Sequence, residues 1–320
     1  MIRHVLSAAL LAANAGAQAL PAFEFPANPL RPAAVPAPQG VPVAPAGIRP
    51  IPVFDRSGFS SKVVAEVAKR RAALEADMAD PRFIRFAMPK TKAYADAIVA
   101  RLLSGSRLTA PGMAVRLNDT SWGETGASMS AGVLTLEPEM IAIMSSEDEV
   151  AAVVAHEIVH YLRAHDEQLV ASRPRNWNPF AGKGGDMFDG PPPPSRAEIE
   201  ARWRHELEAD ALSLRLLANA GYDPSAAAGA LLVIRDERNT EPRYEFGRGR
   251  PDPMHPTVEA RVEALRGVMA REHMAASPRT SAGLPEVYRE LAGRRRGLGP
   301  DEVPASELYR HYKRPKTFAP

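Results

Sequence analysis

Proline decides where this chain can build regular structure. There are 31 prolines in 320 residues, and ten of them lie between Pro21 and Pro52, mixed with Ala, Val and Gly. The ordinary proline share is about 5%. Proline has a fixed φ and no amide hydrogen, so it removes the bonds that helices and ladders need. The stretch therefore favours extended polyproline conformations and cannot make a compact core. It reads as a tether, or as a strap across the surface of the domain downstream. Two later interruptions, 176–195 with Pro191-Pro-Pro-Pro194 and 238–256, punctuate an otherwise helical pattern.

Ahead of the proline-rich stretch, Arg3, the apolar run Val5 to Ala13 and the small-x-small Ala17-Gln-Ala19 make up the three parts of a secretory signal peptide over 1–19. The expected destination is the periplasm or extracellular space of a bacterial envelope. No other stretch approaches the roughly 18 uninterrupted apolar residues of a membrane span, so no integral membrane segment is expected in the mature chain. Forty basic against 38 acidic residues leave a charge of +2, which gives no reason to invoke nucleic acid. With no cysteine, disulfides, a thiolate nucleophile and cysteine-ligated metal are excluded.

The pattern predicts an α+β protein, mainly helical. A helix starts near Ser60 with Val63, Val64, Val67, Ala72 and Leu74 on one side. A second, over 92–103, turns Ala93, Ala97, Ile98 and Leu102 inward. Two strand-like runs come next, 113–117 and 131–136, and from Glu139 to about Met269 the reading is helical.

The chemistry is in His156-Glu157-Ile-Val-His160. Ser146 and Glu149 are spaced as a capping box, and Val150, Val153, Val154 and Ile158 form the apolar stripe of a buried helix. On that helix the two imidazoles, four residues apart, project from one face and can ligate one metal ion. Glu157, beside the first of them, is placed to take a proton from a water on that metal. A catalytic zinc needs a third protein ligand. The metzincin places for glycine and histidine hold Arg163 and Asp166, so that pattern is absent. Downstream, Ser195 and Glu198 cap a helix that runs to Ala220 and stops at Gly221, and it carries Glu206-Leu-Glu208-Ala-Asp210. Glu206 and Glu208 compete for the metal. Glu206 is preferred because Asp210, four residues on, can then accept a hydrogen bond from the outer nitrogen of a ligand histidine. His165 and His205 carry no assigned chemistry.

These features resemble the gluzincin peptidases that include CAAX prenyl protease, HtpX and the protease-chaperone BepA. The resemblance rests on the run from Glu147 to His160, on Glu206 to Asp210 with Leu216-Leu-Ala-Asn-Ala-Gly-Tyr-Asp-Pro224 after it, on His255-Pro256 with Arg261, and on the strand and turn over 126–140. It covers roughly 60–270. Where relatives carry Asn-Ala-Phe-Ala before the active helix, this chain has Thr125-Gly-Ala-Ser-Met129. The resemblance implies a zincin-like domain over 55–275 with a small antiparallel sheet beside the active helix. It further implies one zinc per chain on His156, His160 and Glu206, with Glu157 as general base and Asp210 orienting a ligand. His255 would be a fourth ligand or a polar group near the reacting carbonyl, with Arg261 as a further donor.

The activity expected is that of a metalloendopeptidase acting on unfolded or misassembled envelope polypeptides. Substrates would be bound in extended form along an exposed edge at 132–136. The alternative is an exported chaperone-like binding protein with a latched or vestigial site. The insertion 168–195, with Trp177, Phe180 and Phe188, reads equally as a lid or a surface loop. Segment 20–54 is a spacer or pro-segment, and 276–320 is a C-terminal extension.

Overall fold

A computed structural model describes residues 47–79, 88–118, 126–172, 195–240, 255–277 and 283–296. The proposed signal peptide, most of the proline-rich segment, the aromatic residues of the insertion and the end of the C-terminal extension lie outside the described residues.

Two helices, α1 (Ser61–Ala79) and α2 (Pro89–Gly105), precede a sheet of β1 (Ala114–Leu117), β2 (Ala127–Ser130) and β3 (Val133–Leu136). The short α3 (Pro138–Ile143) leads into α4 (Glu147–Leu162), α5 (His165–Ser172) and α6 (Arg196–Asn219). Then come α7 (Ala226–Thr240), α8 (Val258–Arg271) and α9 (Leu284–Arg296). The protein is mainly helical with one small sheet, as an α+β reading requires. Among the described residues no helix is long and apolar enough to cross a membrane.

The core is centred on α4. Val150, Ala151, Val154, Ala155, Ile158 and Val159 are all fully buried, against α6 on one side and α2, α7 and β2 on others. Helix α4 starts where the sequence puts it. Ser146 accepts from the Glu149 amide at 3.3 Å, while the Glu149 carboxylate takes the Ser145 amide at 2.7 Å. Helix α6 has the full capping box, with Ser195 and Glu198 bonding reciprocally. It ends at Asn219 with Ala220 as its cap, and Gly221 turns away with φ +73°. Ile98 and Leu102 of α2 point into the core, although the buried face runs through Ala95 rather than Ala93.

The sheet departs from expectation in three ways. It is mixed rather than antiparallel, because β1 runs parallel to β3 while β2 runs antiparallel to it. Ala131 and Gly132, expected to begin a strand, are instead a two-residue hairpin turn with φ +48° and +78°. That turn folds β2 back along β3. The strand order is therefore β1-β3-β2, and 133–136 is the central strand with both edges bonded. A free edge for substrate at that segment does not exist; the edges are β1 and β2.

Residues on both sides of 55–275 pack against the same core. Leu284, Val287 and Leu291 of α9 belong to the same core as α2, and Glu290 accepts from the Thr91 amide at 2.7 Å and the Lys90 amide at 3.1 Å. At the other end, 47–54 lies as a strap. The Arg49 amide donates to Asn219 Oδ1 at 2.9 Å, the Phe54 amide donates to the Leu162 carbonyl at 2.8 Å, and Ile51 is buried.

Candidate metal centre

Helices α4 and α6 lie side by side, and the 3.6-residue period of each sets what meets between them. From α4 come His156 and His160. From α6 comes Glu206, 46 residues further along the chain. His156 Nε2 and His160 Nε2 are 3.1 Å apart, and Glu206 sits 3.4 Å from the first and 3.5 Å from the second. Ligand bonds of about 2.0–2.2 Å at tetrahedral angles place donor atoms about 3.3–3.6 Å from one another. The spacing is of that order, with a different carboxylate oxygen turned to each imidazole, Oε2 to His156 and Oε1 to His160, and one donor atom from each residue lies within 4.8 Å of the others. Glu206 is buried and the two imidazoles are partly so, and together His156, His160 and Glu206 could hold a metal ion. Of the two competing carboxylates, Glu206 is the one that joins this group, as its spacing to Asp210 suggests.

The electrostatics suit a cation. Burial would raise the Glu206 carboxyl, but His156, His160 and Arg261 around it hold it well below the usual carboxylate range. Glu157 is buried on the next position of α4, and burial pushes its carboxyl up to about 7 against the pull of His156. That places it where a carboxyl can take and return a proton near neutral pH.

Behind His156 lies Asp210, with Oδ1 3.0 Å from Nδ1. Asp210 is gripped in turn by Arg261 of α8, whose Nε donates to Oδ2 at 2.8 Å and whose Nη2 donates to Oδ1 at 2.7 Å. Arg261 Nη1 also stands 3.3 Å from Glu206 Oε2. The guanidinium thus faces both carboxylates, Asp210 and Glu206. His255, in the bend before α8, reaches the rim. Its side chain is half exposed and its Nε2 is 3.8 Å from Glu206 Oε1.

Two residues without assigned chemistry are built into the site. His165 Nδ1 lies 3.0 Å from His160 Nδ1, its Nε2 lies 3.0 Å from Glu208 Oε2, and His205 stacks flat on its ring at a centroid distance of 4.1 Å. The available signal was a surplus: a third histidine five residues past His160, and Glu208 left without a task once Glu206 took the metal position. The chain matches no protein-family model, and no curated protein matches it.

Proposed function

We propose that this chain is an exported, zinc-dependent endopeptidase of the gluzincin type, acting on unfolded or misassembled envelope polypeptides. The observation that carries the reading is the convergence of two imidazoles from α4 and one carboxylate from α6, with Glu157 beside them. Two nitrogens and one carboxylate oxygen, with a fourth position open, are the donor set of catalytic zinc sites in hydrolases. Zinc, when bound, supplies a Lewis acid and a water whose pKa falls to about 7.

The protein's own groups do the rest. Glu157 takes the proton of the attacking water and passes it to the leaving amine. Asp210 and Arg261 hold His156 in place, and His255 at the rim can donate to a developing oxyanion. An extended substrate would add to the sheet along the outer edge of β2, the edge strand beside α4, where Ser128 is exposed.

The test is degradation of unfolded casein in the presence of zinc. Wild type is expected to cleave and Glu157→Gln is not, while Glu206→Gln is expected to lose the single zinc that wild type takes up. If wild type binds zinc but cleaves no more than Glu157→Gln, the peptidase reading gives way to a chaperone-like binding protein.

A further inference from the structure

We propose that His165 is a positioning residue for the metal centre: it accepts the Nδ1 hydrogen of His160 and so commits His160 Nε2 to the cation. The proposal rests on the reading of His156, His160 and Glu206 as a metal site, and not on the peptidase reading.

The argument is a count of hydrogens along a chain of contacts. At its far end, Arg163 Nε donates to Glu208 Oε1 at 2.8 Å. Glu208 keeps a third of its side chain in water and faces a guanidinium, so it is a carboxylate at neutral pH. An ionised carboxylate only accepts. The 3.0 Å contact from Glu208 Oε2 to His165 Nε2 therefore requires the hydrogen to sit on that nitrogen. A neutral imidazole with its hydrogen on Nε2 has a lone pair on Nδ1. That lone pair faces His160 Nδ1 at 3.0 Å, so His160 must supply the hydrogen. What remains on His160 is the Nε2 lone pair, directed at His156 Nε2 and Glu206 Oε1. With His165 neutral, this tautomer satisfies each contact from Arg163 through Glu208 and His165 to His160 Nδ1 and leaves Nε2 for the cation. The other would aim an N–H at the place where a cation belongs.

The fold holds this relay rigidly. Ala164, at φ +56°, turns the chain after α4 so that α5 begins at His165 and folds back on α4. His165 is 1% exposed, and its plane is set by His205, whose ring lies parallel to it within 2°. A ligand histidine whose outer nitrogen has a fixed acceptor is held in both orientation and tautomer, and removing such an acceptor typically costs about 10–100-fold in metal affinity.

The experiment uses the full chain freed of metal and titrated with zinc against a coloured chelator, together with nitrogen NMR of the histidine rings in the zinc-loaded protein. His165→Leu removes the acceptor. His165→Asn places a carboxamide oxygen where Nδ1 stood and keeps it. The leucine variant is expected to bind zinc about 10–100-fold more weakly. The asparagine variant is expected to stay near wild type, and the spectra of wild type and asparagine variant should show His160 with its hydrogen on Nδ1. Should the leucine variant fail to fold, the asparagine variant and the spectra decide. Wild-type affinity in the leucine variant, equal losses in both variants, or His160 bound through Nδ1 would overturn the proposal while leaving the metal site standing. Failure of wild type itself to take up zinc would bring down both.

Discussion

Behind His156 the chain places a buried ion pair, Asp210 with Arg261, and behind His160 it places two further imidazoles, His165 and His205. The two candidate ligands share one helix, one face and the same inward nitrogen, yet their surroundings drive them apart. Burial would lower His156, but its bonds to Asp210 and Glu206 outweigh that and carry it up to about 10. His160 has no carboxylate at its back, and burial together with the charge of His156 takes it well below its ordinary value. Spacing alone makes two residues candidate ligands. Their basicity and tautomer come from what other elements put behind them.

The sharpest way to break this comparison is through the two arginines that end the two chains of contacts. Arg261→Met takes both guanidinium bonds from the buried Asp210 carboxylate and leaves it to His156. Breaking such a pair costs about 3–5 kcal/mol, to be read as a fall in the urea midpoint of the metal-free protein.

A smaller effect lies in pH. Burial holds the His205 imidazole down at about 4, against an ordinary 6.5. The unfolded chain thus binds this proton first as acid is added. Stability is fully present above 6.5 and is lost as pH falls toward 4. His205→Phe keeps a ring for the stack and removes the proton site, so the variant is expected to lose less stability than wild type between pH 7 and 4.5. Identical losses would mean that the ring stack carries no burial penalty.

The smallest effect is expected for Arg163→Met. Its partner Glu208 keeps a third of its side chain exposed, and such pairs contribute about 0–1 kcal/mol. Equal midpoint shifts for Arg163→Met and Arg261→Met would erase the distinction between the two backings.

How far the sequence carried the reading varies from residue to residue. The caps at Ser146 and Ser195, the stop at Gly221, the shared face of His156 and His160, and the preference for Glu206 over Glu208 are all consequences of contacts three or four residues apart, and they were legible. The hairpin at Ala131-Gly132 was not. It lacks the Asn-Gly or Asp-Gly pair that marks such turns, and the Ala131 amide is held by Asp166 at 3.1 Å, from a helix 35 residues away. Without that turn β2 goes unseen, and β3 looks like an edge. Helix α9 falls within the expected C-terminal extension, although Leu284, Val287 and Leu291 repeat at the spacing of a buried face. His165 stands only five residues past His160, but Glu208 and His205, which complete its contacts, come from α6 about forty residues on.

The amino-acid order by itself determined the starts of α4 and α6, the stop at Gly221, and which side of those two helices carries imidazole or carboxylate, because helical geometry is set by bonds between near neighbours in the chain. Only the tertiary structure decided that α4 and α6 lie close enough for three ligand atoms to meet, and that α5 and α8 supply different supports to two otherwise equivalent histidines. Those outcomes depend on how apolar faces pack across separations of tens of residues, and no local rule of spacing encodes that packing.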